Sequence, residues 1–339
     1  MAAGARQIPV SAAAAAGASF IAADVGGTHA RIGLVTRGPG ARIVVEKFVR
    51  YVCADYPSLA AILRNFIAGL DRRDVQEAAI ACAGYCLDGT IINTNLPWTV
   101  SLGQMRADLH LSAVEFVNDF EAVAYATPHL EAQDTTTLAA GHAASADAPV
   151  LIVGPGTGLG AAVRIPAGSG HVVLATEAGQ SAFAPSSDRE VEVLRLLRRH
   201  ASHVSIEQLL SGPGLVRLHG ALCELDGAAA TLESPAAITR AALNGDAPAR
   251  RTLDAFCGLL GSVLGNLVLL YGAQGGAYLA GGILPQIKPL LLGSSFLERF
   301  LDKGAMRPVL ERVPVHLIEH AELGVLGAAS WYLERHPRV

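Results

Sequence analysis

Three short stretches carry residue types suited to holding and transferring a phosphoryl group. The first, Asp24-Val-Gly-Gly-Thr-His-Ala-Arg31, lies between two apolar runs. Gly26 and Gly27 allow a tight turn that exposes backbone N–H groups with no Cβ in the way, and Thr28 adds a hydroxyl donor. Together they form a cradle for an anion. Asp24, closing the preceding strand, is placed to hold Mg²⁺ directly or through water, because Mg²⁺ keeps its waters and takes few protein carboxylates. The plainer reading is a hairpin turn with a solvated aspartate. The second stretch is Gly154-Pro-Gly-Thr-Gly-Leu-Gly160. Ala161 stands where the dinucleotide pattern needs its third glycine, and no G-x-x-x-x-G-K-[ST] loop occurs. Alone, this run reads equally as a structural turn or a ligand loop; beside the first, it suggests one phosphate clamp from each half of the chain. The third is Asn118-Asp119, ending an apolar strand before a helix. Ligands of α/β sheets gather at the carboxyl ends of strands. Phosphoryl transfer to an alcohol needs a carboxylate to accept the hydroxyl proton, which Asp119 could be, while Asn118 could fix a neighbouring hydroxyl. The alternative is an Asp that caps the next helix.

The elements that must position these residues can be read from periodicity. Phe20 to Val25, Arg31 to Thr36 and Ile43 to Tyr51 read as strands joined by glycine turns. Pro57 to Leu70 has helical spacing, with Leu59, Ile62, Leu63 and Phe66 on one face. Ala78 to Ala83 and Val114 to Val117 read as buried parallel strands. A second β opening follows at Val150 to Val153 and Ala161 to Ile165, after a connecting loop at 141–149. Two glycine hairpins, each leading into α/β structure, imply an internally duplicated protein of two lobes with a cleft between them. Further on, helical patterns cover Asp188 to His200, Ser205 to Leu210, Pro213 to Leu225, Pro235 to Leu243 and Phe256 to Tyr271. Strands are expected at Ala277 to Ala280 and Val315 to Ile318, and a closing helix from about Glu322 to Arg335.

Composition narrows the classes. A chain of 339 residues, 51% hydrophobic, exceeds what one compact core usually holds. A formal net charge of -4 lacks the basic footprint of a nucleic-acid or anionic-membrane binder. The five cysteines, Cys53, Cys82, Cys86, Cys223 and Cys257, form no C-x-x-C pair and read as buried free thiols of a reducing cytoplasm. Residues 1–19 are alanine-rich and lack the apolar core of a secretory signal, so they read as a disordered extension. The uncharged stretch from Ala255 to Ile287 is long enough to span a membrane, but Asn266, Gln274 and the glycines at 272–276 interrupt it.

Taken together, the motifs resemble the sugar-kinase, actin and Hsp70 superfamily, and within it the bacterial glucokinase family, from about Phe20 to Tyr332. Besides the two glycine loops, the resemblance rests on Asn95-Leu-Pro-Trp98, Asn118-Asp119-Phe120, Leu210-Ser-Gly-Pro-Gly-Leu215, Leu279-Ala-Gly-Gly-Ile-Leu-Pro285 and Leu323-Gly-Val-Leu-Gly327. It implies an α/β, two-lobe actin-like ATPase (ribonuclease H-like) fold, with residues 20–128 and 320–339 as the small lobe and 129–319 as the large one. It also implies a cytoplasmic homodimer that phosphorylates glucose at the 6-hydroxyl with ATP and Mg²⁺. By position, Asp24, Gly26, Gly27 and Thr28 match the first phosphate loop, with Asp24 toward the metal, and Gly156, Thr157 and Gly158 match the second. Gly281 and Gly282 match the adenosine-side glycines. Asn95, Asn118, Asp119, Glu177, Gln180 and Glu207 match the sugar-binding set, and Asp119 the catalytic base.

Two departures stand out. Family members usually read G-E-G-G-H where this chain has Thr176-Glu-Ala-Gly-Gln180, so glutamine replaces the sugar-contacting histidine. His29 stands where Asn is common. A sugar-binding regulatory paralogue with little kinase activity, or a kinase for another hexose, is the alternative the glutamine raises. An actin-like assembling ATPase would lack the sugar pocket. His200 and His203 read as solvated surface, as do Arg195, Arg198 and Arg199. Trp98 could line the sugar pocket or fill the core.

Overall fold

Apolar runs set between glycine turns become the central strands of two sheets. The computed structural model describes residues 19–38, 42–72, 74–92, 96–141, 145, 147–168, 170–320 and 322–336. The chain divides into two compact units, Met1–His129 with Glu322–Val339 and Leu130–Ala321.

In the first unit, β1 (Phe20–Val25) pairs antiparallel with β2 (His29–Arg37), which pairs antiparallel with β3 (Ile43–Val52). On its other side β1 runs parallel to β4 (Glu77–Cys82), and β4 parallel to β8 (Ala113–Asn118), giving the order β3-β2-β1-β4-β8. A small separate sheet is formed by β5 (Tyr85–Leu87), β6 (Thr90–Ile92) and β7 (Val100–Ser101). Helix α1 (Leu59–Ala68) starts where Ser58 Oγ accepts the Ala61 N–H at 3.1 Å, and it buries the four residues its spacing marks. Helices α2 (Leu102–Leu109) and α3 (Asp119–Ala126) flank β8 in sequence. The closing helix, Leu323–Arg335, packs on β1 and α3. It approaches α3 so closely that a Cβ on Gly327 would lie 2.0 Å from the Ala122 carbonyl oxygen.

The second unit repeats the plan. β10 (Val150–Pro155), β11 (Leu159–Ala167) and β12 (Gly170–Thr176) form an antiparallel run. β10 is also parallel to β13 (Gly276–Leu279), which is parallel to β14 (Val315–Ile318). The order β12-β11-β10-β13-β14 matches that of the first sheet, with β9 (Thr135–Ala139) added antiparallel at the end. Its helices are α4 (Asp188–Leu197), α5 (Gly212–Leu225), α6 (Pro235–Leu243), α7 (Ala247–Tyr271), α8 (Lys288–Leu292), α9 (Phe296–Leu301) and α10 (Arg307–Leu310).

Several expectations needed correction. The helical pattern at Ser205 to Leu210 is a single 3₁₀ turn, Ile206–Gln208. The small sheet and strands β9 and β12 were not expected at all. All five cysteines are free, but Cys86 is exposed rather than buried. Residues 1–18 lie outside the described residues; Ser19, read as part of the extension, is buried and accepts an Arg72 hydrogen bond at 2.7 Å. Trp98 is half-buried against the first core and donates its indole N–H to the Tyr56 carbonyl at 2.9 Å.

Helix α7 is the one helix among the described residues long and apolar enough to cross a membrane, and most of it is buried in the second unit. It begins earlier than the apolar run suggested, because Asp246 Oδ1 accepts the Ala249 N–H at 2.8 Å and caps a start at Ala247. Gly272, in the left-handed region at φ 61°, ends it. A Cβ on Gly261 would lie 2.1 Å from the Phe296 carbonyl oxygen of α9, whereas one on Gly220 of α5 would meet nothing. Gly261→Ala should therefore lower stability by roughly 2 kcal/mol or more through overpacking. Gly220→Ala should raise it by up to about 1 kcal/mol through helix propensity alone. Urea unfolding of the two variants in parallel reads both signs.

Candidate active site

In the first unit the candidate residues gather where parallel strands end. Asp24 on β1 is in register with Ala81 of β4, and Cys82 of β4 with Asn118 of β8. Asp24 and Asn118 thus sit on one sheet edge, two strands and roughly 10 Å apart. Between β1 and β2 the three residues Gly26, Gly27 and Thr28 make the turn, closed by a hydrogen bond from the Gly26 N–H to the His29 carbonyl at 3.0 Å. Gly27 and Thr28 are exposed. Buried Cys53 lies against this turn, its N–H on the Thr28 carbonyl at 2.9 Å and its thiol on the Gly26 carbonyl at 3.3 Å. Burial pushes the thiol pKa up, which keeps it a donor.

Asp24 has two neighbours. Arg31, opposite it in the hairpin register, donates Nη1 to Asp24 Oδ2 at 2.9 Å. Gly324, in the first turn of the closing helix, leaves the space the carboxylate occupies: a Cβ there would lie 2.4 Å from Asp24 Cγ. Burial is the strongest influence on this carboxyl and raises it above the ordinary aspartate range, with Arg31 opposing less strongly. His29 is drawn the other way. Desolvation first, then the charges of Arg50 and Arg31, hold its imidazole below the usual histidine range, so it accepts from Arg50 Nη2 at 2.9 Å.

Asn118 and Asp119 divide the work at the head of α3. Asn118 is the cap, its Oδ1 accepting the N–H groups of Phe120 at 3.0 Å and Glu121 at 3.2 Å. Asp119, the first helical residue, is not the cap, although its Oδ1 also accepts the Phe120 N–H at 3.0 Å. Asn95 lies outside the described residues.

The second unit brings its own set together. Gly156, Thr157 and Gly158 make the three-residue turn between β10 and β11, with the Gly156 N–H on the Gly158 carbonyl at 2.8 Å. Beside it stands Glu207, whose Oε2 accepts the Leu159 N–H at 2.8 Å and whose Oε1 accepts Gln180 Nε2 at 3.1 Å. Glu177 is exposed and leads into the 3₁₀ turn Ala178–Gln180. Gly281, at φ 98°, lies against the end of β10, where a Cβ would meet the Pro155 carbonyl oxygen at 2.5 Å; Gly282 follows, exposed. Among the described residues no cluster of three or more His, Cys, Asp or Glu could hold a metal ion.

The family model for glucokinase matches residues 21–335. The chain belongs to the glucokinase family. It is an enzyme of that family, a kinase with the mixed α/β actin-like ATPase fold. A glucokinase-like protein of Xylella fastidiosa is 50% identical over 94% of this chain and 95% of its own length. A glucokinase of Chromobacterium violaceum is 41% identical over 91% of this chain and 87% of its own. Among solved structures, a glucokinase from an Antarctic psychrotroph superposes with a TM-score of 0.83 at 34% identity, over 93% of this chain and 98% of that one.

Three further residues brace the candidate positions. His203, read as solvated, is exposed but hydrogen-bonds through Nε2 to the Gln180 carbonyl oxygen at 2.8 Å. Nothing in a separation of 23 residues signals that contact. Arg31 was part of the first motif without a role. A hairpin with a three-residue turn puts it opposite Asp24, so that pairing was available from the spacing. Gly324 was noted only as part of a motif, since its contact is with a residue 300 positions away.

The raised Asp24 carboxyl has a consequence for stability. A group whose folded pKa exceeds its unfolded value of 3.8 favours the folded state most at pH below that value, and the advantage is lost as pH rises through the folded pKa. Once ionised, Asp24 is therefore a net cost to the fold. Asp24→Asn, a neutral isostere, should raise the thermal midpoint more at pH 8 than at pH 4, and thermal unfolding of both proteins across that range measures the difference.

Proposed function

We propose that this chain transfers the γ-phosphoryl group of ATP to the 6-hydroxyl of glucose, giving glucose 6-phosphate and ADP, with Asp119 as the general base. The observation that carries the reading is the head of α3. Asn118 takes over the capping of the helix, and Asp119 stands at the strand end on the same sheet edge as Asp24 and the first glycine turn. Relatives named glucokinase support the substrate class, among them one of Marinobacter nauticus at 38% identity over 91% of this chain. A ROK family glucokinase from Streptomyces griseus, of the same fold, was solved in complex with glucose and AMPPNP.

The chemistry follows from the residues. Asn118, with its carbonyl engaged by the helix, turns its amide NH₂ to a sugar hydroxyl, and Glu177, Gln180 and Glu207 receive other hydroxyls. Asp119 accepts the 6-hydroxyl proton as that oxygen bonds to the γ-phosphorus. The bond from the γ-phosphorus to the bridging oxygen breaks, and ADP carries the electron pair away. The two glycine turns offer backbone N–H groups to phosphate oxygens. Asp24 would hold Mg²⁺, directly or through water, and the ion would neutralise charge on those oxygens; a single carboxylate suits Mg²⁺, which takes few protein ligands. The surface charge and the buried α7 suit a soluble cytoplasmic enzyme, for which a homodimer is the expected state.

A second reading is favoured by Gln180. Its Nε2 is committed to Glu207, so the group presented to a sugar differs from a titratable imidazole. That suits a kinase for another hexose, or a regulatory sugar binder. Coupled ADP-release assays with glucose, mannose, fructose and N-acetylated hexosamines decide it: turnover greatest with glucose supports the first reading, and binding without turnover the regulatory one. Asp119→Asn should reduce kcat by about 10²- to 10⁴-fold, the usual contribution of a positioned base. Turnover surviving within about tenfold would remove Asp119 from that role.

A further inference from the structure

Glu207 was assigned from sequence as a contact for sugar hydroxyls alone, yet its carboxylate is built into the second glycine turn. Oε2 accepts the Leu159 N–H at 2.8 Å, immediately after Gly156-Thr157-Gly158. The approach is so close that a Cβ on Gly158 would lie 2.5 Å from Oε2. Oε1 accepts Gln180 Nε2 at 3.1 Å, and the Gln180 carbonyl is in turn tied to His203. The segment carrying Glu207 is anchored to the same turn again, through the Gly212 N–H on the Gly156 carbonyl at 2.7 Å. One carboxylate thus joins the glycine turn to Gln180, with one oxygen on each.

We propose that Glu207 is a positioning residue that couples the sugar subsite to the second phosphate turn, so that each site's geometry depends on the other through this carboxylate. The proposal rests on the kinase reading above. A sugar hydroxyl donating to Oε1, or taking over from Gln180 there, fixes the carboxylate plane. Oε2 then holds the Leu159 N–H and the turn before it in one arrangement. Coupling of this kind is reciprocal, so a change confined to the turn must be felt by the sugar, and a change at Glu207 by the nucleotide. Alanine at 207 removes both acceptors, whereas glutamine can keep its oxygen on the Leu159 N–H and donate its NH₂ to the oxygen of a turned Gln180 amide.

Two arms test it by calorimetry on the purified full chain. In the first, hexose binding is measured with no nucleotide present, for Gly158→Ala and Gly220→Ala. Each variant adds one methyl group to a glycine of the second unit, and the methyl on Gly220, outside the glycine turns, meets nothing within 4 Å. Gly158→Ala should weaken hexose binding about tenfold, the scale of one charge-assisted hydrogen bond, and Gly220→Ala should leave it within about twofold. In the second, ADP binding is measured with no sugar, and Glu207→Ala should weaken it by about tenfold as well. A Gly158→Ala protein that binds hexose like the wild type, or a Glu207→Ala protein that binds ADP like the wild type, overturns the coupling and leaves the kinase reading standing. A wild type that binds no hexose of the panel overturns the kinase reading instead, and the ADP arm then decides the role of Glu207 alone. If Gly158→Ala does not fold, Glu207→Ala decides.

Discussion

In each unit a carboxylate is set against backbone that carries no side chain. Asp24 fills the space left by Gly324, and Glu207 the space left by Gly158. A Cβ at either glycine would stand where the carboxylate does, so the close approach is a steric condition on both sites. The arrangement has an energetic side as well. Bringing a carboxylate out of water disfavours its charge unless partners compensate, and the raised Asp24 carboxyl shows that Arg31 compensates only in part.

The duplicated sheets explain why residues far apart in sequence meet. In both units a hairpin opens the sheet, its three-residue turn carries the glycines, and the hairpin's first strand is parallel to the strands that follow. Parallel strands finish on the same edge, so whatever follows them is delivered to the hairpin turn. Asn118 reaches the edge of Asp24 by this route. Gly281 reaches Pro155 by the same route, since β13 lies beside β10.

The strands that build these edges were legible because they are continuous apolar runs punctuated by glycine, as at Phe20–Val25 and Val150–Pro155. Strands without that pattern were not. β5 and β6 are three residues each, with Tyr85, Leu87 and Ile92 exposed, and no alternation separates their faces. β12 is an edge strand with Val172 and Leu174 on the solvent side, and β9 is largely threonine. The glycine turns and the Asn118-Asp119 pair were recognisable from residue type alone. The bracing around them was not: His203 on Gln180, Leu159 on Glu207 and Gly324 on Asp24 depend on tertiary proximity, which local spacing does not encode. Arg31 is the exception, fixed by hairpin register.

The closing helix has one more consequence. The first unit takes its strands from residues before 130 and its last helix from residues after 321, with the whole second unit between them. On the ribosome, β1 to β8 emerge long before Gly324 and Gly327 exist to pack on them. The surroundings of Asp24 stay incomplete until that late segment is made, so the second unit is free to fold first, and the nascent first sheet must persist with one face uncovered.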